Sequence, residues 1–281
     1  MRAALRRPAD TFAPAIRAAV RATTGVAANR GAIVVVAALA FAAPGPASAT
    51  DAVRPSRDFL SPELRAQQDD PSRHPGWLWV DQGETLWRRA PAPGTPSCEG
   101  CHGGLDAMRG VATRLPAVDA DGALTNLEGR INRCVTQRQG RPALAWESDA
   151  LLALTAAIAQ RSRGLPMAVA VDGPAAPFLE RGRELYRTRQ GQLNLSCTQC
   201  HDERAGLRLR GDRISSGLGT GYPAYRLEWN GMGSLHRRLR ACSLGVRATQ
   251  FAPGSDEYLA LELWLAHRAR GLPVEAPGLR R

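Results

Sequence analysis

No stretch of the sequence alternates apolar and polar residues over strand length, so nothing in it predicts a sheet. The one long apolar run, Ala32 to Ala43, is about a dozen residues, too short to span a bilayer as a helix. Lysine is absent: all 37 basic residues of the 281 are arginine, against 26 acidic ones. No cluster of those arginines is interleaved with a stacking platform, which removes the signature of a nucleic-acid binder. Apolar content is ordinary, which argues against disorder and against a multi-span membrane protein.

The first 49 residues read as a targeting segment. Arg2, Arg6, Arg7, Arg17, Arg21 and Arg30 precede or open the apolar run, and Ala47-Ser48-Ala49 follows it as a small-x-small cleavage pattern. Cleavage after Ala49 would start the mature chain near Thr50, in the periplasm and without a membrane span. Arg6-Arg7 is a weak match to the twin-arginine route, and an uncleaved anchor is the alternative reading. The leader holds six arginines and Asp10, hence five of the eleven net positive charges. The six that remain favour anionic partners or substrates by steering.

Six cysteines lie beyond the leader: Cys98, Cys101, Cys134, Cys197, Cys200 and Cys242. In an oxidising compartment an even count suggests disulfides. The spacing points elsewhere. Cys98-Glu99-Gly100-Cys101-His102 and Cys197-Thr198-Gln199-Cys200-His201 are two copies of C-x-x-C-H, the pattern of c-type haem attachment. Two thiols one helical turn apart can each bond a haem vinyl group, and the adjacent His102 or His201 reaches the iron from the proximal side. A zinc site would not need histidine directly after each pair.

The chain is an internal repeat. Gly83–Arg88 precedes the first motif as Gly182–Arg187 precedes the second. Arg163-Gly164-Leu165-Pro166 matches Arg270-Gly271-Leu272-Pro273, and Ser148-Asp149 matches Ser255-Asp256. Ser148 to Ser162 and Ser255 to Ala269 read as N-capped helices stopped by Gly-Leu-Pro. Leu152, Ile158, Leu261 and Leu265 would face haem or core. The expected architecture is all-α: two tandem class I cytochrome c-like domains related by duplication. After the leader comes an N-terminal extended segment at 50–76, then a haem 1 domain at 77–170 and a haem 2 domain at 178–281. The joint falls near Met167–Pro177.

A sixth iron ligand is commonly Met or His. Met108, Met167, Met232, His74, His236 and His267 all lack a counterpart in the other repeat; His236 aligns with Glu128 and Met167 with Val274. The remaining cysteines do correspond: Arg130–Cys134 and Arg238–Cys242 are both R-x-x-x-C. This symmetry makes Cys134 and Cys242 candidate distal ligands, with a Cys134–Cys242 disulfide or two inert thiols as alternatives. The i,i+4 spacing puts Arg238 and Cys242 on one helical face, where a guanidinium lowers a thiol pKa and offers a fork to an oxyanion. A propionate partner or a solvated arginine is the plainer reading of Arg238. A simple dihaem electron carrier and a dihaem peroxidase are the rival functions.

The sequence resembles the SoxA family, the dihaem subunits of SoxAX cytochromes of bacterial thiosulfate oxidation. The resemblance covers essentially the whole mature chain. It rests on Ser61–Asp70, Pro75–Trp87, Cys98–His102, Ile131–Cys134 and Cys197–Asp202. Its most specific parts are Tyr222–Trp229, Gly233–Cys242 and Leu259–Ala266. Ser243 and Gln67 depart from residues common in the family. The resemblance implies an L-cysteine S-thiosulfotransferase with two covalent haem c groups. It would join thiosulfate to a cysteine of the sulfur carrier SoxYZ. Electrons would pass to a monohaem partner, SoxX, in a heterodimer, and on to a downstream c-type cytochrome. Carried over by residue, Cys98 and Cys101 hold haem 1, with His102 and Cys134 axial. Cys197 and Cys200 hold haem 2, with His201 and Cys242 axial. Cys242 is the active-site cysteine, found as a persulfide, and Arg238 binds the substrate, with Arg237, Arg240 and Arg247 as further candidates.

Overall fold

The computed structural model describes residues 53–281, so the expected signal segment and its cleavage site lie outside the described residues. The segment expected to run extended at 50–76 carries helix α1 (Pro62–Asp69), capped by Ser61, whose hydroxyl accepts from the Leu64 N–H. The first unit then holds α2 (Trp77–Arg88), α3 (Cys98–His102), β1 (Ala117–Val118), β2 (Leu124–Thr125), α4 (Leu127–Gln137) and α5 (Asp149–Gln160). The second repeats the order with α6 (Ala176–Arg187), α7 (Cys197–His201), β3 (Arg208–Leu209), β4 (Asp212–Arg213), β5 (Ala224–Arg226), β6 (Gly231–Gly233), α8 (Leu235–Gly245) and α9 (Asp256–Arg268). It closes with β7 (Gly278–Arg280). No helix among the described residues is long and apolar enough to cross a membrane.

The all-α expectation needs an amendment. β5 pairs antiparallel with β6 and parallel with β7, and two further two-stranded ladders occur. Each strand has two or three residues, too few for alternation to register in a sequence. The β6-β5-β7 sheet is not peripheral: Tyr225, Met232 and Leu279 pack on Val80, Leu152 and Ala156 of the first unit.

The long helices begin where the caps predict. Ser148 accepts from Leu151 N–H and Ser255 from Tyr258 N–H, each with an acidic residue in the first turn. α2 crosses α5 at Gly83, where an added Cβ would lie 2.0 Å from the Ala153 carbonyl oxygen. α6 crosses α9 at Gly182, 2.0 Å from that of Ala260. A glycine inside a helix costs about 1 kcal/mol relative to alanine; here it is what lets two backbones touch. Leu152, Ile158, Leu261 and Leu265 are all buried.

The two units share one core. Val135, Leu151 and Ile158 of the first pack in the same cluster as Leu259, Leu263 and Ala266 of the second. The stretch expected to join them is packed as well, with Met167, Val169, Val171 and Ala175 buried. The two Arg-Gly-Leu-Pro segments hydrogen-bond to each other. Gly164 N–H donates to Val274 (2.9 Å) and Gly271 N–H to Met167 (3.0 Å); Val274 N–H donates to Leu165 and Met167 N–H to Leu272, both 2.9 Å. Each bond maps onto its mate when the repeats are exchanged, so the units meet about a local two-fold axis. The N-terminal segment ties the tail down: buried Gln68 accepts from Leu279 N–H (3.0 Å), and His74 Nε2 donates to Pro277 O (3.1 Å).

Candidate functional site

In the first unit, α3 is a single helical turn started by Ser97, whose hydroxyl accepts from Gly100 N–H at 2.9 Å. The turn brings Cys98 and Cys101 to one side and projects His102 from its end. α4 lies opposite and presents Cys134, with Sγ 3.8 Å from His102 Nε2. Trp87, four residues past the α2 crossing, donates from its indole to Gly103 O (2.9 Å) and lies 5.7 Å from the His102 ring.

The second unit repeats the arrangement with more support. Ser196 and Gln199 form a capping box over α7, with Ser196 N–H donating to Gln199 Oε1 at 3.0 Å. His201 donates from Nδ1 to Ser215 O at 2.7 Å, leaving Nε2 to face Cys242. Such a bond fixes the tautomer and raises the basicity of a ligating imidazole. Gly217 lies against that ring at φ +68°, and a Cβ there would meet His201 Cγ at 2.6 Å. Behind it, Arg268 donates to Tyr186 Oη (2.5 Å) and Ser216 O (2.9 Å) and pairs with Asp202; Tyr186 also donates to Asp202 at 2.9 Å.

Electrostatics separate the two cysteines. Burial pushes the Cys242 thiol up, but a hydrogen bond from His201 and the guanidiniums of Arg238 and Arg226 outweigh it and hold the thiol at about 7. The neighbouring Cys242 sulfur, overcoming desolvation, holds Arg238 above the usual arginine range. Burial raises Cys197 to about 12 and raises Cys98.

The matched R-x-x-x-C motifs diverge for a visible reason. Arg130, the counterpart of Arg238, is drawn to Asp119 at 2.5 Å, and Arg133 joins it at 2.7 Å. In the repeat, Leu115-Pro-Ala-Val-Asp119 matches Tyr222-Pro-Ala-Tyr-Arg226, so Asp119 corresponds to Arg226. The acid that captures the arginine in the first unit is replaced by a second guanidinium in the other. Arg226 is buried, pairs with Glu228 at 2.9 Å and lies 5.0 Å from the Trp229 ring centre. The three other candidate arginines are engaged elsewhere: Arg237 over Trp229 at 4.3 Å, Arg240 on Gln250 at 3.0 Å and Arg247 on Gln192 at 3.4 Å. Arg226 was not among the residues singled out from sequence; its signal was the reversed charge at a matched repeat position.

All six cysteines are free thiols, and Cys134 and Cys242 each face the histidine of their own unit, so the Cys134–Cys242 disulfide is not formed. Met167 and Met232 are buried in core clusters, and His74 and His236 are hydrogen-bonded elsewhere. Among the described residues no three His, Cys, Asp or Glu side chains converge as a metal site, whereas structural zinc takes four donors. The donor set, a thiol pair followed by a histidine that faces a further thiol, fits a covalently held haem. The 3.8 Å from His102 Nε2 to Cys134 Sγ is about half an ångström below the summed metal–nitrogen and metal–thiolate lengths, ~2.0 and ~2.3 Å.

Two C-x-x-C-H turns, each with a histidine facing a thiol inside a duplicated helical unit, define a c-type cytochrome. A family model described as "SoxA/TsdA, cytochrome c domain" matches residues 82–167 and again 181–274. The L-cysteine S-thiosulfotransferase subunit SoxA of Rhodovulum sulfidophilum is 38% identical over 232 residues, 82% of this chain and 81% of that one. Its namesake from Paracoccus pantotrophus is 39% identical over 223 residues, 79% and 77% of the two chains. The crystal structure of SoxXA from P. pantotrophus superposes with a TM-score of 0.80 at 37% identity, covering 84% of this chain and 91% of that one. The chain belongs to the SoxA family. The cofactor that goes with its cytochrome c domain is covalently bound haem c.

Proposed function

We propose that this chain is the dihaem subunit of an L-cysteine S-thiosulfotransferase. It joins thiosulfate to a cysteine thiol of the carrier SoxYZ, forming a cysteine S-thiosulfonate and releasing a proton and two electrons. The electrons leave to a monohaem SoxX subunit held in a heterodimer and then to a downstream c-type cytochrome. The leader exports the chain, so the reaction runs in the periplasm. The duplicated domains span 77–170 and 178–281.

Cys98, Cys101, His102 and Cys134 would hold one haem, and Cys197, Cys200, His201 and Cys242 the other. Bound haem supplies one-electron redox capacity beside the reacting sulfur. Everything else is done by side chains. Arg238, with Arg226 behind it, concentrates and orients the dianion by charge and by a bidentate fork. Cys242 is the active-site sulfur beside which thiosulfate and the carrier thiol are joined. Ser215 O fixes the His201 ring, and Arg268 holds the loop that carries Ser215 in place.

The observation that carries this reading is one half-buried thiol, Cys242, held near neutrality by His201 and the guanidinium of Arg238. Its counterpart Cys134 has its arginine taken by Asp119. Replacing Cys242 by serine tests it. Thiosulfate-dependent turnover should be lost while both haems stay attached. Turnover retained in that variant would show that Cys242 does not carry the chemistry.

A further inference from the structure

The core between the two units is not wholly apolar. On the local two-fold axis lies a cavity of about 60 Å³, large enough for ordered water. Its lining comes in pairs related by the repeat: Thr155 with Glu262, and Leu115 with Tyr222. Duplication has filled matched positions with groups of unlike polarity.

Glu128, on α4, is 7% exposed and lines the cavity. Glu262, on α9, accepts from Asn126 Nδ2 at 2.9 Å and from His236 Nε2 at 3.0 Å. Thr220 Oγ1, on the same cavity wall, is buried without a partner. Glu147 is nearby, holding the α8 cap through Ser234.

His236, on α8, is the counterpart of Glu128. Burial opposes charge on its ring, but the carboxylates of Glu262, Glu128 and Glu147 outweigh it and hold the ring above the usual histidine range. The Gly254 N–H donating into Nδ1 at 2.9 Å decides the matter, because it leaves that nitrogen no lone pair for a second proton. The ring is then a neutral donor to Glu262, and proton exchange falls to Glu128. Burial, with the Glu262 carboxylate beside it, pushes the Glu128 carboxyl up to about 7.

The cluster also has a symmetric relation to both redox sites. Glu128 lies six residues before Cys134 on α4, and His236, whose ring feels the Glu128 carboxylate, lies six before Cys242 on α8. Either separation is about 9 Å of helix rise. A charge at that distance, at an effective dielectric near 20, shifts a titration by about one pH unit.

We propose that this cavity is a proton-binding site shared by the two redox sites, with Glu128 as the group that takes the proton. An electron arriving at either site adds one negative charge. The Glu128 carboxylate then takes one proton from solvent through cavity water, becoming a neutral acid and restoring the local charge. No other bond forms or breaks. The proposal rests on the two-haem reading of His102/Cys134 and His201/Cys242.

Redox titration of the haem-loaded complex from about pH 5 to 9 tests it, with haem content per chain counted first. Fewer than two haems would overturn the underlying reading rather than this one. Both midpoints should fall as pH rises through neutrality. The total should approach the ~59 mV that a tenfold change in proton affinity gives for one electron. In Glu128→Gln both should be flat with pH, with unchanged haem spectra. An unaltered pH dependence in that variant, or a response at one haem only in the parent, would overturn the proposal. Redox-difference infrared spectra of the parent supply a test free of folding effects. Reduction should produce a protonated-carboxyl band that shifts in D₂O, and its absence counts equally against the site.

Discussion

Replacing Glu128 by glutamine should stabilise the protein at alkaline pH and leave it unchanged in acid. The Glu128 carboxyl moves from an ordinary 4.5 to about 7 on folding, because burial and the Glu262 carboxylate disfavour its charge. An acid whose pKa rises on folding holds its proton more tightly in the native state. Stability is therefore full below about pH 4.5 and declines as pH climbs through 7, where the folded group must ionise in place. The difference of some 2.5 units amounts to about 3 kcal/mol at pH 8 and above. Glutamine keeps the shape and cannot ionise, so it should recover that amount. At roughly 2–4 °C per kcal/mol for a chain of this size, the gain in Tm is about 6–12 °C. Thermal melts of the haem-loaded parent and variant at pH 5 and pH 8.5 read it directly. A difference between the two proteins that is the same at both pH values would refute the reasoning.

The substrate pocket and its supports yield further tests. Arg226→Asp gives the second unit the charge that draws Arg130 away in the first, and should pull Arg238 off Cys242. Losing one charge-assisted contact, about 1.5–3 kcal/mol, raises the KM for thiosulfate about 10- to 150-fold. Asp119→Asn, measured alongside, should leave that KM alone. Arg268→Met removes the brace on the Ser215–Ser216 loop and should move the midpoint potential of the C-terminal haem without moving that of the other. Gly83→Ala or Gly182→Ala drives a methyl into a facing carbonyl oxygen. Such overpacking costs about 1–3 kcal/mol, seen as a Tm lower by several degrees.

Local chemistry was legible in the sequence. The C-x-x-C-H turns, the capping serines at 148 and 255, and the Gly-Leu-Pro stops each need only a few adjacent residues, and each stands where it was read. The pairing of Cys134 and Cys242 with histidines of their own units followed from repeat matching, since a duplicated fold carries equivalent positions to equivalent places. What needed three dimensions was missed. Strands of two or three residues have no period to detect. The matching Arg-Gly-Leu-Pro segments announced duplication, but nothing in one copy says that it hydrogen-bonds to the other. Asp119 and Arg226 became informative only once each was placed beside the arginine one turn before its cysteine. Glu128 and His236 were aligned and unlike, yet that they converge with Glu262 on one cavity depends on how α4, α8 and α9 meet.

The central claim is that the Cys242 sulfur faces the iron opposite His201. X-ray absorption at the iron edge of the haem-loaded protein tests it, in the parent and in Cys242→Ser. The parent should show one sulfur neighbour per iron, and the variant half as much. A parent with no iron–sulfur scattering, or a variant that keeps all of it, would contradict the account.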